Sequence, residues 1–289
     1  MSGFPYSANP AMFAGRNAIV TGASSGIGRD VATMFASQGA NVALVARRRK
    51  LLEALADELT EFGVGALPIV CDVTDQSEVR QAVDKACDAF GGIDLVVNNA
   101  GVLIPSLFGE ARVEDLRRMM DVNFFGAVHM THAALPIMQQ AGFGNIVNIA
   151  SIAGRRGGTT LSGYSASKFA LIGFTESLRM ELFGSGVIAS LVVPASVDTE
   201  MLDNPDWNAR AWAVGNLRIP PDWVSWGVIA AIALGLAEVE VPFGFGTAQK
   251  VAALFPDLTG LWLGMGSRFI ELVNEMMAAT TRQRFHSER

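Results

Sequence analysis

The chain has 289 residues and a net charge of −6; 50% of its residues are hydrophobic and 17% are charged. That length admits one large α/β domain or two small ones. An acidic balance without a basic field gives a phosphate backbone nothing to bind, so nucleic-acid recognition is not expected. The apolar share is above the globular average and calls for a large buried sheet, an oligomer interface, a greasy pocket or a mixture of these.

Residues 1–14 read as an N-terminal arm and lack the basic-then-apolar order of a secretory signal. From residue 17 the pattern alternates. Asn17 to Thr21 is a short apolar strand, Ile27 to Gln38 a helix closed by Gly39, and Asn41 to Ala46 a second strand. Lys50 to Phe62 has helical spacing through Leu51, Leu52, Leu55 and Leu59, and Ala66 to Val70 is a third strand. Ser77 to Phe90 is a helix, Asp94 to Asn98 a strand, and Val113 to Gln139 one long helix with Pro136 as an irregularity near its end. A strand at Asn145 to Ala150, a helix at Gly163 to Phe183 and a strand at Val187 to Val193 follow. Strands that are apolar throughout, separated by amphipathic helices, require a parallel sheet covered on both faces. The right-handed crossover rule makes it a doubly wound, Rossmann-like α/β sheet. The predicted domain spans 15–246.

After Val193 the rhythm changes. Residues 194–220 read as a substrate loop with a proline pair and two tryptophans, followed by a helix from Asp222 to Ala237 and a last strand from Val239 to Phe243. Residues 247–289 read as an apolar helical extension, from Thr247 to Thr280. The longest uncharged apolar run, Trp223 to Ala237, is short of the roughly 20 residues that a membrane span needs, so a buried helix is expected, with room left for peripheral membrane contact. Cys71 and Cys87 read as reduced thiols of a cytoplasmic protein. The three histidines lack companion ligands, and no metal is expected.

Gly22, Ser24, Ser25, Gly26, Ile27 and Gly28 lie between the first strand and the first helix. A helix N-terminus offers unpaired N–H groups and partial positive charge to a pyrophosphate, and glycines let the backbone approach it. In a dinucleotide fold, an acidic residue at the end of the second strand binds the ribose 2′-hydroxyl. Here that place is Ala46, followed by Arg47, Arg48, Arg49 and Lys50. Guanidinium groups bind a 2′-phosphate that a carboxylate would repel, so NADP (as NADPH) is favoured over NAD, with Arg47 ranked first and Arg48 second.

Tyr164 and Lys168 stand four apart at the start of a helix, and so share a face. A neighbouring cation favours the phenolate and would lower the tyrosine pKa. Ser151 ends the fifth strand and Asn98-Asn99-Ala100-Gly101 ends the fourth. Both lie at the carboxyl edge of the sheet, where ligands bind. Asn123 follows inside the long helix.

With these residues, Asp72-Val73 and the stretch from Pro194 to Thr199, the chain resembles the short-chain dehydrogenase/reductase family in its compact form. The resemblance implies that Tyr164 is the general acid/base of a hydride transfer. Lys168 would tune the tyrosine and hold the nicotinamide ribose, Ser151 would hydrogen-bond the substrate oxygen, and Asn123 would hold a water that links Lys168 to solvent. It implies that Asp72 and Val73 contact the adenine, that Asn99, Ala100 and Gly101 line the adenosine side, and that Val197 and Thr199 hold the carboxamide end, with Pro194 also among the cofactor-binding residues. It also implies a homodimer or homotetramer paired through the two long helices, which carry Phe124, Phe125, Val128, Phe169, Leu171, Phe174 and Leu178. Two departures stand out: Ala195 replaces the family's usual glycine, and Ser25 occupies a loop position that is often basic in NADP users.

The apolar side chains after Pro194 (Met201, Leu202, Trp207, Trp212, Leu217) and in the tail exceed what a small polar substrate needs, and point to a lipophilic ketone, aldehyde or secondary alcohol. The competing expectations are a 3-oxoacyl-carrier-protein reductase, with Arg112, Arg117, Arg118, Arg155 and Arg156 as docking cations, and a catalytically silent binding protein.

Overall fold

The strand residues are apolar at successive positions, and the structure shows why. Ala18, Val20, Val42 and Leu44 face one layer of the core, while Ile19, Ala43 and Val45 face the other. A strand buried on both faces cannot alternate apolar with polar. This computed structural model describes residues 12–202 and 218–244, with Thr247, Lys250 and Leu254 beyond them. The expectations for Trp207, Trp212, Leu217, most of the N-terminal arm and almost all of the helical tail lie outside the described residues.

Seven parallel strands form one sheet in the order β3-β2-β1-β4-β5-β6-β7. They are β1 (Asn17–Thr21), β2 (Asn41–Ala46), β3 (Ala66–Val70), β4 (Leu95–Asn98), β5 (Gly144–Ile149), β6 (Val187–Pro194) and β7 (Glu238–Val241). Helices α1 (Gly26–Ser37), α2 (Arg49–Thr60) and α7 (Pro221–Ala233) cover one face. Helices α3 (Gln76–Phe90), α5 (Gly126–Ala141) and α6 (Ser162–Glu181) cover the other, and α4 (Val113–Met120) packs against α6. The fold is a single doubly wound Rossmann-like domain. The strand order reverses between β1 and β4, so their carboxyl ends open a crevice.

Local chemistry sets the boundaries. Asp75 caps α3 by accepting from the N–H groups of Ser77 and Glu78, and Gly91 ends it in the left-handed region at φ 84°. Asp94 is not part of β4: its carboxylate accepts from Arg16 Nη1 at 2.9 Å and from the Asn17 N–H at 2.8 Å, tying the approach to β4 to the start of β1. Pro136 lies within α5, which continues to Ala141. Pro242 has no N–H for a further ladder bond, and β7 ends before it.

The predicted long helix is divided. Between α4 and α5 the chain makes a π-turn over Asp121–Phe125. Asn123 in that turn is buried; its Oδ1 accepts from the Val102 N–H at 2.7 Å and its Nδ2 donates to the Val102 carbonyl at 3.0 Å. This pairing with a distant loop turns the asparagine inward at the extra-residue turn, a local distortion often found at functional sites.

Candidate functional site

A cleft of about 1000 Å³ runs along the carboxyl edge of the sheet. Every site residue expected from the sequence lines it except Gly28 and Asn123, which stand behind its wall. The β1–α1 loop forms one end. Gly22 has φ +67°, and a Cβ there would come within 2.8 Å of Asn99 Nδ2. At Gly28 a methyl group would land on the Gly22 carbonyl and on the Asn99 amide. The loop is therefore drawn tight against β4, with the α1 N-terminus turned to the cleft. This is the cradle that a pyrophosphate needs, so the chain's residues fit a dinucleotide. Thr21 Oγ1 fixes it from beneath by accepting from the N–H groups of Asn99 at 2.9 Å and Ala100 at 3.0 Å.

The two arginines divide. Arg48 Nε donates to Ser24 Oγ at 3.0 Å, its Nη2 donates to Ser25 Oγ, and its Nη1 pairs with Glu200 at 2.9 Å. Arg47 turns toward Asp72 instead, at 3.7 Å. The ranking from sequence put Arg47 first, but it is Arg48 that reaches the phosphate loop. Burial works against the Asp72 carboxylate, yet hydrogen bonds from Thr74 and the charges of Arg47 and Arg118 hold it below its ordinary pKa. The hydrogen bond from Arg48 does the same for Glu200.

At the other end, β5 delivers Ser151 and α6 delivers Tyr164 and Lys168. Ser151 caps the 3-10 turn Ile152–Gly154, its Oγ accepting from the Ala153 N–H at 3.1 Å. Lys168 is buried, and its Nζ donates to the Ile149 carbonyl at 2.8 Å. Burial brings its pKa down to about 8. The Tyr164 phenol is held above its ordinary value by burial, which the neighbouring Ser151 hydroxyl opposes. The lowering expected from Lys168 is not what this geometry gives. The ammonium lies 5.8 Å from the ring centre and is turned toward a backbone carbonyl, while both groups are desolvated.

Asn123 donates to Ser167 Oγ at 2.9 Å, and Ser167 donates to the Tyr164 carbonyl at 2.7 Å. The π-turn thus braces the first turn of α6 from behind. A second buried network went unread in the sequence: Asn98 Nδ2 donates to Thr131 and Asn148, and Asn148 donates to Thr175 Oγ1 at 2.8 Å. Its signal was there, since Asn148 stands between apolar Val147 and Ile149 in the strand. Sequence reasoning also missed Leu103, Ile104, Thr159, Leu161 and Glu200 as lining, because the loops that carry them have no periodicity.

The family described as short chain dehydrogenase matches residues 16–209. An uncharacterized oxidoreductase of Staphylococcus saprophyticus is 39% identical over 194 residues, covering 67% of this chain and 83% of the relative. A 2-dehydro-3-deoxy-L-rhamnonate dehydrogenase (NAD(+)) of a Sphingomonas species is 38% identical over 192 residues, 66% of this chain and 76% of its own. The crystal structure of a short chain dehydrogenase from Burkholderia cenocepacia in complex with NADP superposes with a TM-score of 0.68 at 31% identity, over 76% of this chain and 91% of that one.

Proposed function

The chain belongs to the short-chain dehydrogenase family and is a nicotinamide-dependent oxidoreductase, and we propose that it interconverts a lipophilic ketone or aldehyde and its alcohol, with NADPH preferred and Tyr164 as the general acid/base. One observation carries this reading: Ser151, Tyr164 and Lys168 meet in a single cleft that joins the phosphate loop to a wall of Leu103, Ile104, Leu161, Met201 and Leu202. Ligand sites of this kind combine an apolar lining with a few polar groups that fix orientation.

The glycine loop, Arg48 and Arg47 would hold the phosphates, Asp72 and Val73 the adenine, and Pro194, Val197 and Thr199 the nicotinamide end. When bound, the nicotinamide supplies the hydride to the carbonyl carbon, or accepts it from the carbinol carbon. Tyr164 Oη gives its proton to the substrate oxygen in reduction and takes one in oxidation. Ser151 Oγ donates a hydrogen bond to that same oxygen. Lys168 holds positive charge beneath the phenol, and Asn123, through Ser167, fixes the turn that presents it.

The NADP-bound neighbour and the arginines favour NADPH, while the Sphingomonas relative is named for NAD(+). Carrier docking is less well supported. Arg155 is turned inward between Glu176 and Glu238, and Arg112 lies 3.9 Å from Glu114. The test is a series of ketones of rising chain length at fixed NADPH. We expect kcat/KM to rise with length; small polar sugars or acids as the best substrates would overturn the lipophilic reading.

No helix among the described residues is long and apolar enough to cross a membrane. Of the faces expected to pair copies of the chain, Leu171 and Leu178 are core, whereas Phe125 and Phe169 are 43% and 46% exposed. Large exposed aromatics on the π-turn and on α6, which pack together, support a homodimer or homotetramer joined there. Light scattering at micromolar concentration should give at least a dimer, and Phe169→Asp should shift it toward monomer; a monomeric wild type would overturn this.

A further inference from the structure

The loop between Ser151 and Tyr164 is held more firmly than its glycines suggest. Arg155 is 15% exposed, with Nη1 3.1 Å from Glu176 on α6 and Nη2 2.6 Å from Glu238 on β7. Further along, Thr160 is buried at φ +66°, the one non-glycine residue at positive φ among the described residues. A β-branched side chain is strained in that region, and such strain persists where the surroundings enforce a backbone path. Here the Ser106 N–H donates to the Thr160 carbonyl at 3.0 Å.

Between these two fixed points stands Arg156. It lines the cleft and is half-buried; its N–H donates to the Ile152 carbonyl at 3.1 Å, while its guanidinium has no hydrogen bond or ion pair among the described residues. Arg47, Arg48 and Arg118 belong to the end that carries the phosphate loop and Asp72. Lys168 is bound to the Ile149 carbonyl. Among the described residues that line the cleft, Arg156 is therefore the cation left to the substrate end, on a lining that also carries apolar Leu103, Leu161 and Leu202. A guanidinium drawn partly out of water with no partner is a poor arrangement for stability alone, and it is suited to a planar anion.

We propose that Arg156 determines the substrate class: the lipophilic substrate of this cleft carries a carboxylate, which Arg156 binds while the apolar body lies against the leucines. The proposal rests on the reading that the cleft takes a lipophilic carbonyl or alcohol. One guanidinium matches the single charge of a carboxylate, whereas a phosphate monoester would call for more cations than the described residues of this wall offer.

The test is calorimetric titration of the enzyme saturated with NADPH, using octanoate and octan-1-ol as probes. Octanoate should bind at least about tenfold more tightly, the scale of one charged hydrogen bond. Arg156→Gln should bring the ratio to about one, and Arg156→Lys, which keeps the charge, should retain part of it. Arg80→Gln, on exposed α3 away from the cleft, should leave the ratio as in the wild type. A wild-type ratio near one, binding of neither probe, or selectivity that survives Arg156→Gln would each overturn the proposal. Binding is read without turnover, so failure of the oxidoreductase chemistry would show separately, as absence of NADPH consumption with every ketone despite intact octanoate selectivity.

Discussion

Tyr164→Phe is expected to lower kcat by at least about 10²-fold while leaving cofactor affinity nearly unchanged, the lower range for loss of a general acid/base. The substitution keeps the ring that packs in the Leu161 and Leu202 cluster and deletes the transferable proton. The pH dependence follows from Lys168, which is buried, and Tyr164, which is half-buried. With its pKa held above the ordinary value, Tyr164 is protonated at neutral pH and ready to act as the acid in reduction. Lys168 loses its proton near pH 8, and the positive charge beneath the phenol is lost with it. Reduction should therefore hold steady around neutrality and decline above about pH 8, and Lys168→Met should remove that limb. Oxidation, which needs the phenolate, should gain as pH rises. Stopped-flow measurement of NADPH consumption with a medium-chain ketone reads the first, and of NADPH formation from NADP+ and the matching alcohol the second. Near-normal turnover in Tyr164→Phe would remove the tyrosine from the mechanism.

The same burial affects stability. The Lys168 pKa falls from 10.5 to about 8 on folding, so between those values the unfolded chain binds the proton that the folded chain has released. This group's contribution to stability thus rises with pH across that window; below about 8 the folded protein carries the burial penalty of the ammonium. A cation kept at such a place at a cost in stability is what a functional position looks like, since a core position would have been filled by an apolar residue.

Much of this was open to reading in the chain because its causes are local. Short apolar runs such as Leu95–Val97, set between amphipathic helices, read as strands buried on both faces, and Gly22, Gly26 and Gly28 carry meaning from their place between a strand and a helix. What could not be read depends on contacts between distant residues. The π-turn at Asn123 exists because Val102 offers both a donor and an acceptor to one amide, and nothing in the sequence around Asn123 announces that partner. Helix α6 shows the same limit. Its apolar residues occupy more than one face, and only the packing decides that Leu171 and Leu178 enter the core while Phe169 stays at the surface. The arginine run is a third case. Pattern placed four cations after β2, but which of them meets the glycine loop follows from how α2 departs, and its first residue, Arg49, leaves Arg48 as the turn residue above Ser24 and Ser25.

That geometry carries the second large effect. Arg48→Ala should weaken NADPH binding by roughly 10–100-fold, the equivalent of about 1.5–3 kcal/mol for a charged hydrogen bond, and should leave NADH little changed. Arg47→Ala should have the same direction and a smaller size, because its guanidinium is drawn to Asp72 and is 60% exposed. Arg48 already holds an anion in the form of the Glu200 carboxylate. A 2′-phosphate arriving among Arg48, Ser24 and Ser25 would compete with that carboxylate for the same N–H groups, and would be repelled by it if it stayed. Glu200→Gln should therefore tighten NADPH and leave NADH unmoved. Fluorescence titration of the three variants against both cofactors separates the cases. Equal losses for NADPH and NADH in Arg48→Ala would make the arginine a brace for the loop. A wild type that binds NADH more tightly would show that Glu200 prevails over the arginines, and would align the chain with its NAD(+)-named relative. The sign of the Glu200→Gln effect then decides between them, since a carboxylate can disfavour a phosphate beside it only through its charge, and that charge is what the glutamine removes.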